Sequence, residues 1–340
     1  RTMLVVGLVL AVMILPIITA VVREVFSQTP RRHIEAALAL DPQHEKAGIT
    51  LALILQTQGR PADAVPIYRQ LLERNPEHTD AHSNMLFCLS EMPGITPDAL
   101  FAEHLLYGQL VEQRTAPPAP LDNTPEPERR LRIGFVSGDL RNHAVASFIE
   151  PVFECLGRSP GLTLYAYHTH TLHDEVTERL RGHLPRWRDV AALDDEELER
   201  LVRADGIDIL IDLSGHSAFN RLPAFARRLA PLQASWIGYP GTTGLAAMDY
   251  YLASPNFLPP GQYDHLFSEK LVQLPLSIPF DPVASAPDVG PLPALANGYV
   301  TFGSFNRLSK FNREVIKAWG MLLRALPDAR LLVGGMPQQH

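Results

Sequence analysis

From Leu131 onward the sequence alternates between short apolar runs and stretches of helical character, and this alternation constrains the fold more than any other feature. The runs LRIGFVSGD, LTLYAYHT, IDILIDLSG, ASWIGYP and MDYYLAS read as buried strands. Intervals such as Asp194–Ala204 (DDEELERLVRA) read as helices between them. Alternating strands and helices predict a mainly parallel sheet with helices on both faces. In such sheets ligands bind beyond the carboxyl ends of the strands. Ser137-Gly138-Asp139, Asn142-His143, Asp212 through His216 and Gly238-Tyr239-Pro240-Gly241-Thr242 fall there. A second start follows the proline-rich crossing from Pro275 to Pro293. There YVTFGSFN reads as a strand, RLSK as a loop, the following residues through Leu326 as a helix, and ARLLVGG as the next strand. This reads as the opening βαβ of a second nucleotide-binding half, expected to be cut off after two strands.

Three other segments precede this region. In residues 41–115, His44 and His78, Pro42 and Pro76, and Ala47 and Ala81 each recur 34 residues apart, the period of a tetratricopeptide repeat. Ala52 and Ala64 allow two antiparallel helices to approach closely, Gly59 closes the first helix, and Tyr68 and Pro76 fall where the repeat places an aromatic and a terminating proline. A lone repeat cannot bury its faces, so it must stack on neighbours. Residues 116–128 are proline-rich and polar and read as a linker. Residues 3–22 carry no charge. At 1.5 Å per residue they span roughly 30 Å, the thickness of a bilayer core, which predicts a transmembrane helix; a buried core helix is the alternative.

Composition narrows the function. The 340 residues carry 30 basic and 37 acidic side chains, a net charge of −7, which argues against nonspecific nucleic-acid binding. The two cysteines, Cys88 and Cys155, lie far apart, excluding a disulfide framework or a cysteine-rich zinc site. A reducing, cytoplasmic location is expected, with membrane tethering if residues 3–22 span a bilayer. No Asp-x-Asp sits at a strand end, so a metal-bound diphosphate is not expected.

Residues 1–40 resemble the inner-membrane permease subunit of a phosphate ABC importer. Glu35-Ala36-Ala37 matches the Glu-Ala-Ala-x-x-x-Gly of its coupling helix, with Asp41 in place of the glycine. A permease needs several spans and this sequence has one, so transport is not expected, and a fusion near Leu40 is. The rest carries a different likeness. RIGFVSGDLRNHAVASF, DILIDLSGHSAFNRLPAFARRLAPLQASWIGYPGTTG, MDYY, FSEKLVQLP and FGSFNRLSKFN resemble the catalytic region of the O-linked N-acetylglucosamine transferases and SPINDLY-type proteins. The likeness covers residues 42–340, with Leu229 where the family usually has proline. It implies an α/β fold of the glycosyltransferase B type. Residues 129–294 would form the first Rossmann-like lobe and 295–340 the start of the second.

The implied reaction is inverting transfer of N-acetylglucosamine from UDP-N-acetylglucosamine to serine or threonine hydroxyls of proteins, independent of metal or other cofactor. GDP-fucose is the alternative donor, and a non-catalytic tetratricopeptide binding module the alternative function. Protein acceptors would be presented along the repeat helices. His143, in the family's Asn-His motif, is placed near the reaction as base or acceptor-orienting group. His216 and Asp212 are candidates for the same cleft. The competing readings are a loop histidine bonded to backbone and an aspartate capping its turn. Pro240, Gly241 and Thr242 form a tight turn able to approach substrate. Lys310, ahead of a helix, is the candidate for the leaving diphosphate, with Asn306 and Arg307 beside it. Trp187, Trp236 and Trp319 read as core, and Asp194 through Glu197 as an acidic helix start. With the second lobe incomplete, these 340 residues are expected to turn over little or no donor.

Overall fold

The computed structural model describes residues 34, 38, 40, 41, 44–126, 128–184, 186–275, 278–281, 286–306 and 310–334. They fall into two compact units, one drawn from residues 1–71, 91–94 and 282–340, the other from 72–90 and 95–281.

The larger unit is built on seven parallel strands: β1 (Leu131–Ser137), β2 (Leu162–His168), β3 (Arg186–Asp189), β4 (Ile209–Asp212), β5 (Leu232–Trp236), β6 (Tyr250–Ala253) and β7 (Lys270–Gln273). Their spatial order is β3-β2-β1-β4-β5-β6-β7. The chain winds outward from β1 to β3, then returns to lay β4 against β1 and winds the other way. The point of reversal lies between β1 and β4, where a doubly wound sheet opens a crevice at its carboxyl edge.

The period of two decides which helices cover which face. Ile133 and Phe135 of β1, with Leu164 and Ala166 of β2, share a core with Val145, Ile149 and Phe153. These last three lie on helix α5 (Ala144–Gly157). Val136, Tyr165 and Tyr167 point the other way, into a core with Leu198, Val202 and Phe225. Each fully buried side chain of this size contributes roughly 1.5–3 kcal/mol. Helix α6 (Glu175–His183) starts on a capping box between Asp174 and Thr177. Helix α7 (Asp195–Asp205) starts on another between Asp194 and Glu197, the acidic start read in the sequence. The short helix α8 (Leu222–Phe225) follows β4.

Two helices ahead of the sheet belong to this unit: α3 (Thr79–Glu91, through Ser90) and α4 (Pro97–Glu112). Leu86 of α3 and Tyr107 and Val111 of α4 are buried in the same core as Val136 and Leu210. The sequence division at the proline-rich stretch thus separates residues that the structure packs together. That stretch is pinned rather than loose. Asn123 donates to the carbonyls of Gly206 and Ile207 (3.3 and 3.1 Å) and to Asp208 (2.7 Å). The Arg203 guanidinium donates to the carbonyls of Ala119 and Pro120. Proline removes backbone donors but leaves acceptors, and side chains of the sheet unit take those acceptors up.

In the smaller unit, helices α1 (Glu45–Thr57) and α2 (Pro61–Arg74, through Leu71) are joined at Gly59, whose φ is 73°. Ala52 and Ala64 are fully buried, as close helix approach requires. The sequence period reappears as bonding. His44 Nδ1 accepts from the Ala47 amide at 3.3 Å, and 34 residues on, in the larger unit, His78 Nδ1 accepts from the Ala81 amide at 3.2 Å. The smaller unit also holds β8 (Thr301–Ser304), α10 (Arg313–Ala325) and β9 (Arg330–Val333), a parallel βαβ, preceded by the short α9 (Pro293–Asn297). No helix among the described residues is long and apolar enough to cross a membrane. The span expected at 3–22 lies outside those residues, as does nearly all of the permease-like segment.

Candidate active site

The carboxyl end of β1 runs into a tightly held loop. Ser137 Oγ accepts from the Asp139 amide at 2.9 Å and lies 3.5 Å from Ser214 Oγ at the end of β4, so the two strands flanking the reversal are joined there. Asp139 and Arg141 are both buried, with a guanidinium nitrogen 3.7 Å from the carboxylate. The Asn142 amide donates to Asp174 at 2.7 Å, tying the loop to the start of α6.

His143 ends this loop and caps α5: its Nδ1 accepts from the Val145 amide at 3.2 Å. The same Nδ1 lies 3.6 Å from Asp139 Oδ2, with the side chain 33% exposed. One nitrogen cannot serve both contacts in one state. In the neutral ring that caps the helix, Nδ1 is the acceptor and Nε2 carries the proton. To accept a proton at Nε2 the ring must hold its other proton at Nδ1. It then gives up the cap and turns to Asp139, whose charge steadies the imidazolium against the positive helix terminus. The arrangement suits a ring that takes up a proton at Nε2 while its Nδ1 proton turns to a buried carboxylate.

The loops after β4 and β5 make the other wall. Asp212 is fully buried, accepts from the amides of Ser214 and Gly215 (3.0 and 2.7 Å) and from Ser235 Oγ (3.0 Å), and burial pushes its pKa up to about 6. This is the turn-capping alternative of the sequence reading. His216 is 1% exposed, with Nδ1 3.1 Å from Ser83 Oγ on α3 and Nε2 3.0 Å from the Thr243 carbonyl. It is the backbone-bonded loop histidine, packed edge-on against Tyr107 and beside His104. Burial holds both His104 and His216 well below the ordinary histidine pKa, His104 at about 4. Both are sealed from solvent. Pro240 is exposed and Gly241 half-buried at the rim, whereas Thr242 is buried and hydrogen-bonded to Glu269 at 2.6 Å.

The fold and this site now allow comparison with known proteins. The family model for glycosyl transferase family 41 matches residues 64–280, which takes in every element from α3 to β7. The chain belongs to this family. A probable UDP-N-acetylglucosamine–peptide N-acetylglucosaminyltransferase SPINDLY of Solanum lycopersicum is 36% identical over 272 residues, 78% of this chain and 29% of that protein. The protein of the same name from Arabidopsis thaliana is 35% identical over 268 residues, 77% of this chain and 29% of that protein. A solved structure, a mutant of the Thermobaculum terrenum O-GlcNAc transferase, superposes with a TM-score of 0.81 at 39% identity, covering 90% of this chain and 58% of that one. The chain therefore spans under a third of the length of these curated relatives.

Within the family frame, the structure brings Asp139, Arg141 and His143 together and sets Asp212 and His216 beneath the neighbouring loops. Lys310 is exposed and lies three residues before α10, whose N-cap Asn312 accepts from the Val315 amide at 2.9 Å. Asn306 donates to Ser304 Oγ at 3.3 Å. Both belong to the smaller unit, and Arg307 lies outside the described residues. Trp236 is buried as expected, and Trp187 and Trp319 are half-buried. No group of three or more metal-ligating side chains is assembled among the described residues.

Sequence reasoning missed two residues. Glu269, buried at the start of β7, accepts from the Thr243 amide (2.7 Å), from the Thr243 hydroxyl and from Thr242 Oγ1. It thereby fixes the turn that carries Pro240 and Gly241. Nothing in the mixed segment FSEKLVQLP singles it out, because Lys270 stands beside it as a second charge. Ile237 adopts φ 65° in a γ-turn closed by the Gly238 amide on the Trp236 carbonyl at 2.8 Å. A β-branched residue there carries strain on the order of 1–3 kcal/mol, and such strain collects at functional sites. Nothing in the local sequence announces it.

Proposed function

We propose that the chain is part of a protein O-glycosyltransferase that inverts the anomeric carbon of UDP-N-acetylglucosamine as it moves the sugar to serine or threonine hydroxyls. The observation that carries this reading is His143. It is a half-exposed imidazole at the reversal point of a doubly wound sheet, backed by the buried Asp139 in a family 41 chain. The hydroxyl attacks the anomeric carbon, its proton passes to imidazole Nε2, and the bond to the diphosphate breaks. Lys310, with Arg307 and Asn306, would neutralise the departing diphosphate, and the turn at Pro240, Gly241 and Thr242 would contact donor or acceptor through its backbone. No metal or other cofactor is required by this scheme. The helices α1 to α4 would be a tetratricopeptide segment that presents protein acceptors, and a cytoplasmic setting fits the cysteine content.

The test is a donor assay. UDP-N-acetylglucosamine and GDP-fucose are each offered with a protein mixture, and release of UDP or GDP is followed. Little turnover is expected from these 340 residues, because among the described residues the smaller unit offers two strands, β8 and β9, toward a second lobe. Calorimetric titration with the free nucleotides separates the donors. Binding of UDP without GDP supports N-acetylglucosamine transfer, and the reverse preference supports fucose. Binding of neither nucleotide by a chain extended through a whole second lobe would sink the enzymatic reading and leave the binding module.

A further inference from the structure

Phe219 sits where a structural account of it fails. Its φ is 61°, a left-handed backbone that bulky side chains avoid, yet the residue is 50% exposed, so burial does not compensate the strain. The conformation is enforced from two sides. Thr169 Oγ1, at the end of β2, donates to the Phe219 carbonyl at 2.7 Å. Gly138, at the end of β1, lies so close that a Cβ there would be 2.6 Å from the Phe219 Cβ. The ring meets the His170 imidazole edge-on at 4.1 Å between centroids. His170 in turn accepts at Nδ1 from the Leu172 amide at 2.8 Å, and Leu172 is itself largely exposed. Segments after β1, β2 and β4 thus converge to hold an exposed aromatic ring against one imidazole, with the exposed Leu172 tied to that imidazole through its amide. They do so one residue from Asp139, the partner of His143.

We propose that Phe219, His170 and Leu172 form an apolar ledge that selects acceptor polypeptides by gripping an apolar side chain next to the acceptor hydroxyl. This rests on the transferase reading above and goes beyond it by naming what the site prefers. A polypeptide side chain fits better than a sugar ring. The ledge offers aromatic edge and aliphatic surface, whereas a sugar's hydroxyls would need paired polar groups. The strain is then stored to keep the ring at the crevice mouth rather than folded into the core.

Two probes test it on this chain by fluorescence anisotropy: a labelled decapeptide of glycine and alanine with one central serine, and the same peptide with leucine on both sides of the serine. The leucine peptide is expected to bind about tenfold more tightly, the scale of one apolar contact in a pocket. In Phe219→Gly this preference should disappear while the glycine–alanine peptide binds as before. The thermal midpoint should stay level or rise by about 2–4 °C, because glycine relieves the left-handed strain. A lowered midpoint, or leucine preference intact in Phe219→Gly, would overturn the ledge. Equal binding of both peptides to the unaltered chain would overturn the ledge alone, whereas binding of neither would overturn the acceptor reading and the ledge with it.

Discussion

Two histidines that end comparable strand-end loops, His143 after β1 and His216 after β4, have opposite fates. His143 stands at a helix start with one face to solvent and a carboxylate 3.6 Å behind it. His216 is sealed beneath α3 and α4, with both ring nitrogens engaged. In sequence each follows an apolar run and a small polar turn. Their difference comes from what is laid over them: the His143 side chain keeps a third of its surface exposed, whereas the α3–α4 hairpin covers His216 in the loop after β4. A strand-end position therefore nominates a residue, and the covering element decides whether it can meet a substrate.

The largest expected break in this comparison is the cover itself. A Cβ at Gly108 on α4 would lie 1.8 Å from the Gly244 carbonyl oxygen, and Gly244 has φ 76° against His104. Gly108→Ala should therefore cost about 4 kcal/mol in urea unfolding, as overpacking against immobile backbone does. Next comes acid. His104 titrates at about 4 in the folded chain against 6.5 when exposed, so between these values the unfolded chain binds the extra proton. Stability falls as pH drops through that window, by on the order of 3 kcal/mol for His104, with His216 acting in the same direction. Asp212, raised to about 6, works oppositely and offsets part of the loss between pH 6 and 4. Unfolding measured at pH 7 and pH 4.5 should register the net decline, and His104→Gln should flatten it.

A smaller effect sharpens the role of the β5 loop. Glu269→Gln replaces an acceptor of four hydrogen bonds by an amide that can satisfy only part of them, which should cost about 2 kcal/mol. The smallest separates scaffolding from chemistry at His143. His143→Ala removes the α5 cap and should cost about 1 kcal/mol, and His143→Asn should restore it. Neither variant should support any UDP release that the unaltered chain displays. Release retained in His143→Asn would assign the histidine to capping alone.

The central strands were legible because each is a continuous apolar run buried on both faces. β3 and β7 were not read as strands. They lie at the two edges of the sheet, and Arg186–Asp189 has no apolar run to reveal it. The helical hairpins, the caps at Asp194 and the turn under Asp212 follow from local chemistry and could be read directly. His143 was found through its motif. Its link to Asp139 is a contact across a loop of four residues that periodicity does not encode, and Glu269 and Phe219 act through contacts between segments far apart in sequence. Local signals fix elements, while the coupling of loops from different strands is decided only once the sheet brings them to one edge.

The placement of α3 and α4 also bears on how such proteins can change length. Repeat arrays grow and shrink by duplicating or deleting whole hairpins, each tolerated because neighbours are interchangeable. The α3–α4 hairpin does not meet that condition. Leu86, Tyr107 and Val111 complete the core of the sheet, and Glu112 receives the Ala247 amide at 2.9 Å. A hairpin packed in this way cannot be duplicated or deleted without opening the core of the sheet, so α3 and α4 are inherited with it.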